Sequence, residues 1–235
     1  AAIDAGDIWV AYQPQFDIRG MHIFGVEALV RWQHPARGAI SPEAFIGPTE
    51  SHNRMMRLTL NILKQATASC KTIVDEKPGF RLSVNLSASL LEHPQLPELI
   101  GEILYLNAFP ATNLTLEVTE SAPFAEHNIV SKNLTELAAI GIELSIDDYG
   151  TDNATLEYLR TVPCQEIKID RRFVLGLADN FSDRLLVEST IELAHGLGRR
   201  VIAEGIEDAG TLALLKDIGC DIAQGYFLAK PMRIQ

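Results

Sequence analysis

Short runs in which apolar and polar residues alternate recur along the chain. Between them lie longer stretches with apolar residues every three or four positions. The first pattern predicts strands and the second amphipathic helices. Residues 8–16 read as a strand, with Pro14 suggesting an edge or end position. The short segment 17–22, containing Gly20, predicts a turn into an antiparallel partner over 23–32. In that partner Phe24, Val26, Ala28 and Val30 take one face, Glu27 and Arg31 the other. Residues 35–48 predict a loop with turn residues at Gly38, Ser41 and Pro42. Residues 53–74 then carry Met55, Leu58, Ile62, Leu63, Ala66 and Ile73 at helical spacing.

From there strand and helix alternate. Strands are predicted over 80–86, 114–119, 141–150, 166–170, 200–205 and 221–225, and helices over 97–107, 126–140, 154–160, 182–196 and 211–218. Pro97 suits a first helical turn, and Gly141 and Gly219 suit helix ends. Repeated strand–helix units imply parallel strands, and eight strands imply closure. The expectation is α/β, a modified (β/α)8 TIM-like barrel whose first strand runs antiparallel to the rest. An open doubly wound sheet is the alternative, but no Gly-x-Gly-x-x-Gly loop supports it.

The two faces of these strands differ in chemistry. In Gly141-Ile-Glu-Leu-Ser-Ile-Asp-Asp-Tyr-Gly150, Leu144 and Ile146 share one face. Glu143, Ser145 and Asp147 share the other, and Asp148 is expected just past the strand end. Read alone, the Asp pair also suits a helix-capping turn. Strand after strand, however, the polar parity ends in an ionisable or amide group: Glu27, Asn85, Glu117, Asp147, Lys168, Glu204 and Gln224. Barrel strand ends converge on one mouth. Carboxylates crowded there would raise each other's pKa unless divalent cations screened them. An oxygen-rich set without His or Cys suits Mg²⁺, Mn²⁺ or Ca²⁺, and two such ions serve phosphoryl chemistry. A barrel lyase using Lys168 as base beside one Mg²⁺ would need fewer carboxylates.

Composition narrows the classes. The 235 residues are 47% hydrophobic, enough for one sizeable core, with no linker, low-complexity tract or repeat. The whole of 1–235 is expected to be a single domain cut from a longer multidomain protein. The net charge of −11 argues against a nucleic-acid polymer as partner, though not against a small phosphorylated ligand bound through metals. No apolar run approaches a membrane span and no signal-peptide pattern opens the chain, so no membrane contact is expected from this segment. Cys70, Cys164 and Cys220 have no zinc spacing and read as buried thiols of a reducing cytoplasm.

The chain resembles the EAL domains, bacterial phosphodiesterases that open the second messenger cyclic di-GMP to linear 5′-pGpG. The resemblance runs from Tyr12-Gln13-Pro14 to Lys230-Pro231. It is carried by Glu27-Ala-Leu-Val-Arg-Trp32, Ser83-Val-Asn-Leu-Ser87, Glu117-Val-Thr-Glu-Ser121, Asp147-Asp-Tyr-Gly-Thr151, Lys168-Ile-Asp170, Ala203-Glu-Gly-Ile-Glu207 and Gln224-Gly-Tyr226. It implies two divalent cations, Mg²⁺ or Mn²⁺, with Ca²⁺ inhibitory. Glu27, Asn85, Glu117 and Asp147 would hold the first metal, and Asp147, Asp148 and Glu204 the second. Lys168 would hold the attacking water or steady charge on the phosphate. Glu204 and Glu207 are the two positions for a base or its support, and Glu120 anchors the loop after the fifth strand. Gln13, Arg31, Asp170 and Gln224 would contact substrate. A homodimer and an N-terminal sensory or GGDEF-type domain are implied partners. The chain departs from the family after Asp147-Asp148-Tyr149-Gly150-Thr151, where Asp152 replaces a glycine. An Asp there implies altered activity or regulation, and the alternative function is a catalytically impaired cyclic di-GMP receptor or a protein-interaction domain.

Overall fold

The alternating runs form a closed barrel in the computed structural model, which describes residues 2–3, 5–46, 52–120, 128–151 and 156–234. Strand β1 (Ile8–Asp17) pairs antiparallel with β2 (Ile23–His34) in the register Ile8↔Trp32 to Gln15↔Gly25. A short β3 (Gly38–Ile40) adds to the outer edge of β2, followed by helices α1 (Pro42–Ile46) and α2 (His52–Glu76). The parallel strands β4 (Arg81–Asn85), β5 (Leu114–Thr119), β6 (Glu143–Tyr149), β7 (Glu166–Ile169), β8 (Arg200–Ala203) and β9 (Ile222–Ala223) continue the sheet. Between them lie α3 (Leu96–Leu106), α4 (Asn128–Ala139), α5 (Leu156–Thr161), α6 (Arg171–Gly176), α7 (Phe181–Gly196) and α8 (Ala209–Asp217). The order β1-β9-β8-β7-β6-β5-β4-β2 returns to β1, so eight strands close and β1 alone runs against its neighbours.

Pro14 sits in mid-strand rather than at an end, opposite Val26. Its missing donor costs nothing there. Tyr12, on the same side of β1, pairs with Met232, and β9 is met only from Phe16 onwards. Pro14 therefore occupies the gap between two short partners, where a ring without N–H is tolerated.

Val84, Leu116, Ile146, Ile167 and Val201 are fully buried or nearly so, and the opposite parity is buried as well. Both faces of a barrel strand are covered, one by helices and the other by the barrel interior. The interior is polar at two levels. At its floor, Arg81 from β4 and Arg200 from β8 both pair with Glu143 of β6. Arg200 also lies 3.4 Å from Glu166 and stacks over the Phe24 ring at 5.4 Å. Replacing Glu143 with Ala leaves two guanidinium groups facing one another. The expected loss is about 2 kcal/mol, discounted because the Glu143 side chain is 25% exposed. The denaturant midpoint should fall at unchanged slope.

The expected loop over 35–48 contains two elements, β3 and α1. Both are three to five residues long, too short to show a period. Helix α6 was also not anticipated; it starts where the Asp170 side chain accepts from the Arg172 backbone N–H. Strand β6 extends through Asp148 to Tyr149, where Asp148 was expected beyond it. Its pairing with β7 is irregular between Ile146 and Tyr149, and Asp148 takes a left-handed φ of 55°. Asp152, whose replacement of glycine was the main departure from the family pattern, lies outside the described residues.

Candidate functional site

Lys168 projects from β7 into the barrel mouth and is 1% exposed. Its Nζ donates to Glu117 Oε2 at 2.9 Å and stands 2.7 Å from Glu204 Oε1, 3.1 Å from Asp147 Oδ1 and 3.6 Å from Glu27 Oε2. Those carboxylates come from β5, the end of β8, β6 and β2. Only the inside of the barrel can bring them to one point. Glu27 is held further: Asn85 Nδ2 donates to its Oε1 at 2.8 Å and Gln224 Nε2 to its Oε2 at 2.6 Å. Gln15 Nε2 donates to Gln224 Oε1 at 2.9 Å, and Gln224 Nε2 lies 3.4 Å from Gln13 Oε1.

One ammonium serves four carboxylates, and the titration of the group shows the imbalance. Burial alone would lower the Lys168 pKa, but Asp147, Glu117, Glu204 and Glu27 together hold it well above the ordinary lysine value. Burial lifts Glu204 to about 8 despite Lys168, with Asp147 and Glu27 adding to the rise. Burial likewise holds Glu117 well above the usual carboxylate range, and Glu27 and Asp147 push the same way against Lys168. Glu27 goes the other way: burial raises it, but Lys168, Gln224 and Asn85 outweigh that and leave it lowered. Asp148 is pushed up to about 6 by burial and by the neighbouring Asp147 and Asp170.

The donor set fits hard divalent cations. Carboxylate oxygens of Asp147, Asp148 and Glu204 lie within 4.8 Å of one another. Glu117 keeps a buried oxygen, Oε1, with no partner. Among the described residues no His or Cys joins these carboxylates, which matches an all-oxygen coordination sphere. A dication among these oxygens would relieve the repulsion that raises Glu117 and Glu204.

The remaining sequence candidates fall around this centre. Gly205 has a φ of 72°, and a Cβ there would lie 2.4 Å from Arg171 Cβ, so the chain turns sharply after Glu204. The turn leaves Glu204 inside and carries Glu207 to the rim, where its 53% exposed side chain lies 3.5 Å from Arg171 Nη2. Glu120 stands apart from Lys168; its Oε2 accepts from the Gly150 backbone N–H at 2.8 Å. Asp170 caps α6 and also accepts from Arg172 Nε at 2.9 Å. Arg31 folds back, donating from Nη1 to the Val30 carbonyl at 2.9 Å. Gln15 and Arg171 were missed in the sequence, although Gln15 shares its strand parity with Gln13.

Two cavities flank the cluster and share Leu29. One, of about 230 Å³, is lined by Lys168, Gln13, Arg171, Glu207 and Tyr226. The other, of about 440 Å³, is mostly apolar, lined by Leu29, Arg31, Met55, Leu58, Asn85 and Leu86.

The EAL domain family model matches residues 1–231. Bifunctional diguanylate cyclase/cyclic di-GMP phosphodiesterase MucR of Pseudomonas aeruginosa is 32% identical over 98% of this chain and 34% of its own length. Cyclic di-GMP phosphodiesterase NbdA of the same organism is 32% identical over 94% of this chain and 28% of its own. The chain spans about a third of the length of the curated relatives it matches. Among solved structures, the PaMucR phosphodiesterase in complex with c-di-GMP superposes with a TM-score of 0.92 at 32% identity. That match covers 98% of this chain and 94% of that one. The same closed barrel, with the same single reversed strand, thus carries a family pattern that runs almost end to end, and the chain belongs to the EAL domain family.

Proposed function

We propose that this domain hydrolyses cyclic di-GMP to linear 5′-pGpG with the help of two divalent cations, Mg²⁺ or Mn²⁺. The observation that carries the reading is the buried Lys168 ammonium ringed by Glu27, Glu117, Asp147 and Glu204, with Asp148 adjoining. A core so short of positive charge is suited to cations and to the phosphate they would bring. The two cavities beside it, which share Leu29 in their walls, suit a ligand with two bases carried on one sugar–phosphate ring.

Glu27, Asn85, Glu117 and Asp147 would hold one cation; Asp147, Asp148 and Glu204 would hold the other. Bound there, the cations lower the pKa of water and neutralise phosphate charge. Lys168 donates to the oxygen on which charge develops. A bond forms from water oxygen to phosphorus while the bond from phosphorus to the 3′-oxygen breaks. The water proton passes to Glu204 or Glu207, and the departing 3′-oxygen takes up a proton from solvent. Glu204 stands within the cluster and Glu207 at its rim, an arrangement in which Glu207 supports proton exchange with solvent. Arg31, released from Val30, and Gln13 with Gln224 would orient the dinucleotide, Arg31 through a phosphate oxygen. Asp170 would act from behind Asp148. Homodimerisation and neighbouring sensory domains remain part of this proposal.

The test is incubation with cyclic di-GMP and Mg²⁺ or Mn²⁺, then chromatographic separation of products. Linear 5′-pGpG should accumulate with Mg²⁺, stop in EDTA, and stop when Ca²⁺, with its longer bonds and larger ligand number, replaces Mg²⁺. Equal rates in EDTA and Mg²⁺ would sink the metal mechanism. Tight binding with no product identifies a receptor instead.

A further inference from the structure

The Asp147–Gly150 segment is gripped from two sides. Glu120 holds one: its backbone N–H donates to the Asp147 carbonyl at 3.1 Å, and its Oε2 accepts from Gly150 N–H at 2.8 Å. The other side of Gly150 meets hydrocarbon. A Cβ there would lie 2.9 Å from Phe173 Cε2 and 3.4 Å from Leu186 Cδ2. The ring edge thus rests almost directly on the Gly150 Cα, which has a φ of 98°. Two residues earlier Asp148 has a φ of 55°, a conformation L residues seldom adopt unless their surroundings enforce it. Pairing with β7 lapses across Asp147 and Asp148 and resumes at Tyr149↔Ile169, so that ladder alone does not enforce it.

We propose that Phe173 is a positioning residue for Asp148, its ring backing Gly150 so that the left-handed turn keeps the Asp148 carboxylate beside Asp147 and Glu204. This rests on the metal reading above. The ring is itself fixed: Phe173 N–H donates to the Asp170 carbonyl at 3.1 Å, and the Arg172 guanidinium lies 6.0 Å from the ring centroid. Without the ring, the segment gains room on its unbonded side. Asp148 relaxes towards the extended region, and its carboxylate leaves the second cation's position. Asp147, paired with Thr119 of β5 and bonded through its carbonyl to the Glu120 N–H, stays.

The test is Mn²⁺ titration by calorimetry, without substrate, on the parent protein, Asp148→Asn, Phe173→Ala, Phe173→Tyr and Phe109→Ala. Phe109 is buried at the other end of the barrel, between α3 and β5, and controls for general loss of packing. The binding component weakened in Asp148→Asn should weaken at least tenfold in Phe173→Ala, with the other component kept. Phe173→Tyr should retain both, and Phe109→Ala should lose thermal stability but neither component. Should Phe173→Ala not fold, Phe173→Leu is read the same way, since a branched aliphatic chain lacks the ring edge. Parent-like affinities in the Phe173 variant, or an equal fall in both components, overturn the positioning role. A parent protein that binds no Mn²⁺ removes the metal reading and this inference together.

Discussion

Replacing Lys168 with Met is expected to abolish turnover and to make folding depend on divalent metal. Met keeps most of the side-chain length and removes only the charge. In the metal-free protein that leaves Glu27, Glu117, Asp147 and Glu204 around an apolar tip, within a site where Lys168 is 1% exposed. Breaking a buried pair from one side costs about 3–5 kcal/mol, because the orphaned charge remains. For a chain of this length, about 1 kcal/mol moves Tm by roughly 2–4 °C, so the metal-free variant should melt well below the parent. Two escapes are open to it. Acid protonates the carboxylates, and Mg²⁺ or Mn²⁺ supplies the missing cation, so either should restore much of the loss. Turnover should stay down by at least about 10²–10³-fold in saturating metal, the usual cost of a donor aimed at developing charge. Urea titrations in EDTA and in Mg²⁺, with product chromatography, read both effects. A variant as stable as the parent in EDTA would show that Lys168 does not balance the carboxylates.

This charge balance was only partly legible in the sequence. The parity of each strand exposed the inward set, because a period of two leaves no choice once one face is aliphatic. Barrel closure then placed Glu27, Asn85, Glu117, Asp147, Lys168 and Glu204 at one end. Their pairwise order was not legible. That Lys168 would touch four carboxylates while Glu207 pairs with Arg171 depends on the sharp turn at Gly205 and its approach to Arg171. The floor pairs of Arg81, Arg200, Glu143 and Glu166 escaped for a related reason. They are the far ends of the same strands, and separations of 34 residues or more in sequence vanish only on closure. Helix α6 went unseen because six residues cannot display a helical period. Its one local signal was the Asp170 cap, which was read as a substrate contact.

Thermal stability without metal is expected to fall as pH rises from about 5 to 8, and added Mg²⁺ should raise Tm most at the upper end of that range. Asp148 and Glu204 are lifted to about 6 and about 8, above their unfolded values of 3.8 and 4.5. The folded protein therefore binds more protons than the unfolded chain between those limits, and stability must decline with rising pH across the window. Glu117, also raised, acts in the same direction. Glu27, lowered, contributes in the opposite sense, adding stability above the ordinary carboxylate pKa that is lost on acidification. Metal ions reverse the decline because they need the ionised carboxylates that the metal-free fold disfavours. Binding at pH 7 should release protons, from Glu204 and from Glu117, the two carboxyls that burial holds highest. At a metal concentration about a hundredfold above Kd the stabilisation is about 2.7 kcal/mol, roughly 5–10 °C in Tm. At pH 5 protons compete for the same oxygens, so the shift should shrink. Melting curves at pH 5, 6.5 and 8 in EDTA and in Mg²⁺ decide the matter, with calorimetry in two buffers of different ionisation enthalpy counting the protons. A metal-induced shift of the same size at pH 5 and pH 8 would mean that the cation binds somewhere other than the carboxylates around Lys168.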